Sequence, residues 1–215
     1  MWSKHTLYSF AGGNDGVDPY GGVVLDAAGS LYGVTSLGAL GYGTVYELSQ
    51  SNGSWTETIL HAFQYSDGSN PIGSLIADAA RNLYGATAGG GSAHQGTMFE
   101  LSQPGNWTFQ TLYNFPSYST GAQPAGGLVF DTAGNLYGTT LNGGANNGGT
   151  VFKLAPSNGN WMRTDLHDFS VSDGTTPNGS LIFDSHGNLY GTAQVGGAPS
   201  DSCYSGCGTV WEITP

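Results

Sequence analysis

Residues 134–154 read GNLYGTTLNGGANNGGTVFKL, and the reading of this stretch decides the fold. Its LYG core recurs at Leu31, Leu83, Leu136 and Leu189, at spacings of 52, 53 and 53 residues. Self-similarity at a fixed period of this length marks a repeat architecture, in which each unit is one supersecondary element that stacks on the next. A Trp opens each unit (Trp2, Trp55, Trp107, Trp161), and a Phe stands eight residues later (Phe10, Phe63, Phe115, Phe169). A Pro-x-Gly segment (PYGG, PIGS, PAGG, PNGS), an apolar run ending in Asp, LYG, a glycine-rich loop and GTVYEL, GTMFEL, GTVFKL or GTVWEI complete the period. Residues 1–215 are therefore expected to form a single repeat domain, with units 2–54, 55–106, 107–160 and 161–215.

Each period divides into four short runs of β-branched, aromatic and aliphatic residues, separated by Gly, Asn, Asp and Pro clusters, as strands and hairpins do. No segment sustains a 3.6-residue apolar period, so helix is expected to be nearly absent. The runs VVLD, LIAD, LVFD and LIFD are apolar at consecutive positions and read as innermost strands covered on both faces. LYGTT and GTVFKL carry more polar positions and are expected further out. The Trp-to-Phe strand, as in WTETILHAF, alternates and suits an outer position. Four-stranded units of this length predict an all-β fold, a β-propeller with four blades per chain. The chain begins on an outer strand and its last unit stops at a third strand. Pairing residues 2–10 with 208–213 is thus expected to supply the missing outer strand, with Trp2, Leu7 and Phe10 meeting Val210 and Trp211. The same pairing made to another molecule would give a larger ring or a filament.

Composition narrows the function. Fifteen acidic and four basic residues give a net charge of -11, which argues against nucleic acid and against anionic membrane surfaces. No apolar run approaches the roughly 20 residues that span a bilayer, and Met1 leads directly into WSKHTLYSF, with no signal-peptide core. Charged residues make up only 9% of the chain, so its surface is expected to be neutral and rich in hydroxyls and amides. Cys203 and Cys207 lie together in DSCYSGCG and suit a small disulfide in an oxidising compartment; metal binding there lacks further ligands.

The four units act as an alignment within one molecule. Asp26, Asp78, Asp131 and Asp184 recur in every unit before AAGS, AARN, TAGN and SHGN. An Asp accepting bonds from the amides of a following turn explains them; a set of carboxylates around a channel that binds Ca²⁺ is the functional alternative. Asp15, Asp67 and Asp173 begin DG turns, with Thr120 in their place in the third unit, and turn chemistry accounts for them. His61 and His167 share a column with Tyr8 and Tyr113, which asks for a large amphipathic ring rather than a proton carrier. The tyrosines of LYG (Tyr32, Tyr84, Tyr137, Tyr190) and the leading tryptophans read as packing between blades. The following Gly is expected to admit a ring from a neighbouring blade. Symmetry breaks where LYG-to-GT spacing grows from 12 or 13 residues to 19, in a loop that holds Pro199, Asp201, Tyr204 and both cysteines.

GNLYGTTLNGGANNGGTVFKL closely resembles the unit of the GloVer-type bacterial tandem-repeat proteins, LYGTT, then GG, then GTVFKL, then a TLY-x-F strand. The resemblance covers all four units. It implies an exported or surface-attached bacterial protein, often held by a C-terminal sorting segment, and supplies no catalytic residues. The sequence departs from that pattern at its end, so anchoring by a sorting segment after Pro215 is not expected.

No nucleophile and base pair, ligand cluster or carboxylate pair stands outside the repeat columns. The expectation is a non-catalytic, secreted or cell-surface scaffold that binds a glycan or a protein on the loops of one mouth, with no cofactor. The alternatives are a structural subunit that assembles with itself through its N-terminal strand and, behind it, a hydrolase or lyase with a channel-mouth site.

Overall fold

The computed structural model describes residues 1–103, 105–200 and 203–215. The fold is all-β, four antiparallel sheets with, among the described residues, only two single-turn 3-10 segments, Gly13–Asp15 and Tyr118–Thr120. Sheet 1 contains β1 (Val17–Leu25), β2 (Leu31–Leu37), β3 (Thr44–Ser51) and β4 (Ser54–Ala62), in that spatial order. Sheet 2 repeats the order with β5 (Ile76–Ala77), β6 (Leu83–Thr87), β7 (Thr97–Ser102) and β8 (Thr108–Asn114). Sheet 3 adds β9 (Ala122–Pro124), paired with β11, to β10 (Val129–Phe130), β11 (Leu136–Asn142), β12 (Thr150–Ser157) and β13 (Asn160–Asp168). Sheet 4 has three strands, β14 (Ile182–Phe183), β15 (Leu189–Ala193) and β16 (Thr209–Ile213). The Trp-to-Phe strands β4, β8 and β13 each close the sheet of the unit before them, by pairing with β3, β7 and β12. No helix among the described residues is long and apolar enough to cross a membrane.

Burial departs from the expected ranking. The middle strands, not the innermost, are the most buried: all five residues of β6 and most of β7 are inaccessible. Their polar positions are threonines that satisfy one another across the hairpin. Thr35 and Thr44, Thr87 and Thr97, and Thr140 and Thr150 lie 2.7, 2.9 and 3.0 Å apart between hydroxyl oxygens, in buried pairs. A satisfied hydroxyl pair removes most of the cost of burying each group. The innermost strands pair over only two residues in sheets 2 to 4, because the Pro-x-Gly segment diverts the chain before them.

The core lies between sheets. Tyr32, Val34 and Val45 of sheet 1 pack on Leu75, Leu83, Phe99 and Leu101 of sheet 2. Tyr84, Ala86 and Met98 face Leu128, Leu136, Phe152 and Leu154 in the same way, and Val151 faces Leu181 and Leu189. One interface is therefore built three times.

Residues 1–11 form no strand, and β16 pairs with β15 and with no other strand among the described residues. The expected pairing of residues 2–10 with 208–213 is not made in this structure, where Trp2 and Leu7 are exposed. Phe10 instead anchors the segment on sheet 1. Its ring lies 5.1 Å from that of Tyr46, as Phe63 lies 5.2 Å from Phe99, Phe115 5.3 Å from Phe152 and Phe169 5.5 Å from Trp211.

Candidate functional site

The recurrent aspartates close turns. Asp131 Oδ1 accepts the amides of Ala133 and Asn135, each at 2.9 Å. Its Oδ2 accepts Asn135 Nδ2 at 2.7 Å and the Tyr137 hydroxyl at 3.0 Å. Asp26, Asp78 and Asp184 accept equivalent bonds, each including the hydroxyl of its LYG tyrosine. Burial raises the Asp131 pKa, but the bonds from Asn135, Tyr137 and Ala133 outweigh it, so the carboxyl lies below its ordinary range. Both oxygens are committed to the turn, which leaves few lone pairs for a cation. Among the described residues no three His, Cys, Asp or Glu side chains gather where they could hold a metal. Each of the four carboxylates thus serves the turn of its own unit.

The LYG tyrosines do pack between sheets: the Tyr32 ring meets Trp107 at 5.7 Å, Tyr84 meets Phe130 at 5.0 Å and Tyr137 meets Phe183 at 4.9 Å. The glycine after each tyrosine serves a different neighbour from the one expected. Gly138 pairs with Phe152 across the hairpin, and a Cβ on it would lie 2.7 Å from the Phe152 ring. Gly33 and Tyr46, Gly85 and Phe99, and Gly191 and Trp211 repeat the arrangement. The ring comes from the same sheet.

A second column emerges that sequence reasoning took apart. Tyr8 donates its hydroxyl to Asp15, His61 Nε2 lies 3.2 Å from Asp67 Oδ2, and His167 Nε2 lies 2.6 Å from Asp173 Oδ2. The rings and the DG turns were each legible in the sequence, but not their contact, which joins the end of an outer strand to the next loop. Burial lowers the His61 pKa against the pull of Asp67. In sheet 1 the contact has an acidic addition. Burial, then Asp15, push Glu57 up to about 7. The bond to Asp15 leads burial in raising Tyr8 to about 12.

Asymmetry is concentrated at sheet 4. Cys203 and Cys207 are bonded, with Cα atoms 5.5 Å apart, in the loop before β16. Tyr204 and Pro199 are exposed on that loop, and Asp201 lies outside the described residues. Beside it a cavity of 540 Å³ opens against Asn178, Thr192, Ala193, Cys207, Gly208 and Val210. A second cavity of 200 Å³ lies between His167, Phe169 and Asp173 on one side and Trp211 and Glu212 on the other.

No curated protein matches the chain. Among solved structures, a candidate gluconolactonase aligns with a TM-score of 0.54 at 18% identity, over 90% of this chain and 63% of its own. A protein of unknown function from Dyadobacter fermentans aligns with a TM-score of 0.53 at 12% identity, over 100% of this chain and 69% of its own. These neighbours are β-propeller-like, and at such identity the likeness concerns the fold. The chain spans less than two thirds of the first and little more than two thirds of the second. The model of the Gloeobacter/Verrucomicrobia repeat matches residues 38–215, most of the chain. The chain belongs to the Gloeobacter/Verrucomicrobia repeat family.

Proposed function

We propose that the chain is a non-catalytic, exported β-propeller scaffold of four blades, one per sheet, which presents its variable loops to a glycan or a protein. One observation carries this reading: the recurrent acidic and aromatic side chains are bonded inside their own turns, whereas Tyr204 stands exposed on the loop that no other unit has. An exposed tyrosine on a loop pinned by a disulfide offers both a stacking face and a hydroxyl. The disulfide supports an oxidising compartment. Titration of the folded chain with soluble oligosaccharides, followed by calorimetry, tests it. Saturable binding that Tyr204→Ala abolishes supports the glycan arm, and silence across the panel sinks that arm.

A second reading has its own observation. The open edge of β16 and the exposed segment before Phe10 favour a structural subunit in which residues 2–10 complete the last blade, within one chain or between chains. Deleting residues 1–9 tests it. A completed ring would lose thermal stability as a monomer, whereas an assembling subunit would lose its oligomers and keep its fold.

A further inference from the structure

The two ends of the array are the two halves of the interface that the chain builds three times within itself. In the column of Val45, Met98 and Val151 each residue is 0% exposed, while Val210, the fourth member, is 82% exposed. In the column of Leu75, Leu128 and Leu181 exposure is 3%, 6% and 4%, while Val23 reaches 55%. Val210 lies on the forward face of sheet 4, Val23 on the backward face of sheet 1. Each lacks the partner that its counterparts have.

The missing contacts can be named from the three that exist. Pro71, Pro124 and Pro177 are buried against the glycine that opens the third strand of the preceding sheet, where a Cβ on Gly43, Gly96 or Gly149 would lie 2.6, 2.7 and 2.7 Å from the proline Cδ. The residue before each proline holds a left-handed backbone, with φ of 52° at Asn70, 59° at Gln123 and 56° at Thr176. Its amide donates to the preceding sheet: Asn70 to the Tyr42 carbonyl at 3.0 Å, Gln123 to Gln95 at 2.9 Å and Thr176 to Gly148 at 2.9 Å. Asp18 holds the same backbone, at φ 55°, and Pro19 is exposed. On sheet 4 the matching glycine is Gly208 and the matching carbonyl is that of Cys207, and both border the 540 Å³ cavity. A left-handed non-glycine residue costs free energy, which the amide bond it enables offsets in the other three units.

The second cavity has an equally specific claimant. The residue two places after the Trp of each outer strand lies by the ring cluster of the sheet it completes. Glu57 approaches Asp15 in sheet 1, Phe109 stacks on His61 at 3.7 Å in sheet 2, and Arg163 lies over Phe115 and Phe152 at 5.0 and 5.3 Å in sheet 3. In sheet 4 that place is the 200 Å³ cavity, and the column's remaining member is Lys4. Asp173 and Glu212 line it, so one of only four basic side chains in a strongly acidic chain meets carboxylates.

From these columns we infer that a second copy of this chain occupies the open end of sheet 4. Its residues 2–10 add to β16 as the fourth strand, with Lys4 beside Asp173. Its Pro19 enters the larger cavity, with the Asp18 amide bonded to the Cys207 carbonyl and Val23 packed towards Val210. The inference rests on reading the four sheets as propeller blades. The array aligns over 90% and 100% of its length with 63% and 69% of two longer propeller-like chains, and in this structure its own ends do not meet: among the described residues β16 pairs only with β15, and Val210 and Val23 are both exposed. A head-to-tail contact of this kind closes on two copies or continues as a filament.

Light scattering on size-separated full chain, across a concentration series, tests it together with Val210→Asp and Val23→Asp, which alter opposite ends at exposed positions. The expected result is a mass of two or more copies for the wild type and of one copy for each variant, with unchanged near-ultraviolet circular dichroism. Mixing the variants leaves one intact end on each, so the equimolar mixture should form a complex of two copies. A wild type of single-copy mass at every concentration overturns the inference, as does an oligomer that survives both substitutions. Lys4→Glu separates the arm from the face. If it weakens assembly at least tenfold, the strand addition stands; if it leaves assembly unchanged, strand addition by residues 2–10 is wrong. Loss of the near-ultraviolet signal in the wild type itself would instead count against the blade reading.

Discussion

Asp131 shows what the repeated residues are for. One carboxylate takes two amides, an asparagine and a tyrosine, and so ties the turn after the innermost strand to the strand beside it. Replacing it with Ala leaves these donors without an acceptor, and Asp131→Ala is expected to cost about 2 kcal/mol in a denaturant titration. Glu57 behaves in the opposite sense, because its carboxyl is raised from an ordinary value of 4.5 to about 7 by burial and by Asp15. Below the ordinary value both folded and unfolded chains hold the proton. Between the two values the unfolded chain loses it first, so stability falls as pH rises through that window and the full penalty stands above about 7. Melting temperatures measured against pH should therefore decline through this range in the wild type relative to Glu57→Gln, with the variant more stable above neutrality. The aspartate turn was legible in the sequence because Asp and Asn or Ser stand at fixed offsets in every unit. The Glu57 site was not, since its partner Asp15 comes from a loop that no spacing rule connects to β4.

At the scale of strands, the order within a sheet and the outer placement of the Trp-to-Phe strand were readable from period and alternation alone. Burial was misjudged for a specific reason: the threonines of LYGTT and GTVFKL look polar one at a time, and their pairing appears only once the two strands are set in register. The same register explains the LYG glycine. Gly138 faces Phe152 across the hairpin, so Gly138→Ala drives a methyl group into a fully buried ring. It should cost about 1–3 kcal/mol, read from the midpoint of chemical denaturation. Had the ring belonged to another sheet, as the sequence reading expected, the sheets could separate slightly and the penalty would be smaller.

For the whole molecule, the repeat predicts how neighbouring units pack but says nothing about whether the array closes. That depends on the rotation between sheets, which is an outcome of side-chain volume at three interfaces rather than of any motif. The structure leaves Val210 and β16 uncovered at one end and Val23, Pro19 and residues 1–7 uncovered at the other. The disulfide at the first end ties Cys207, whose carbonyl is the proposed acceptor, to Cys203 in the same loop. The most direct test is amide hydrogen exchange at Val210 to Ile213, measured on the wild type at high concentration and on Val210→Asp. Slow exchange in the wild type and fast exchange in the variant is the result expected if a second copy supplies the fourth strand. Fast exchange in both, or equally slow exchange in a variant of single-copy mass, would contradict it.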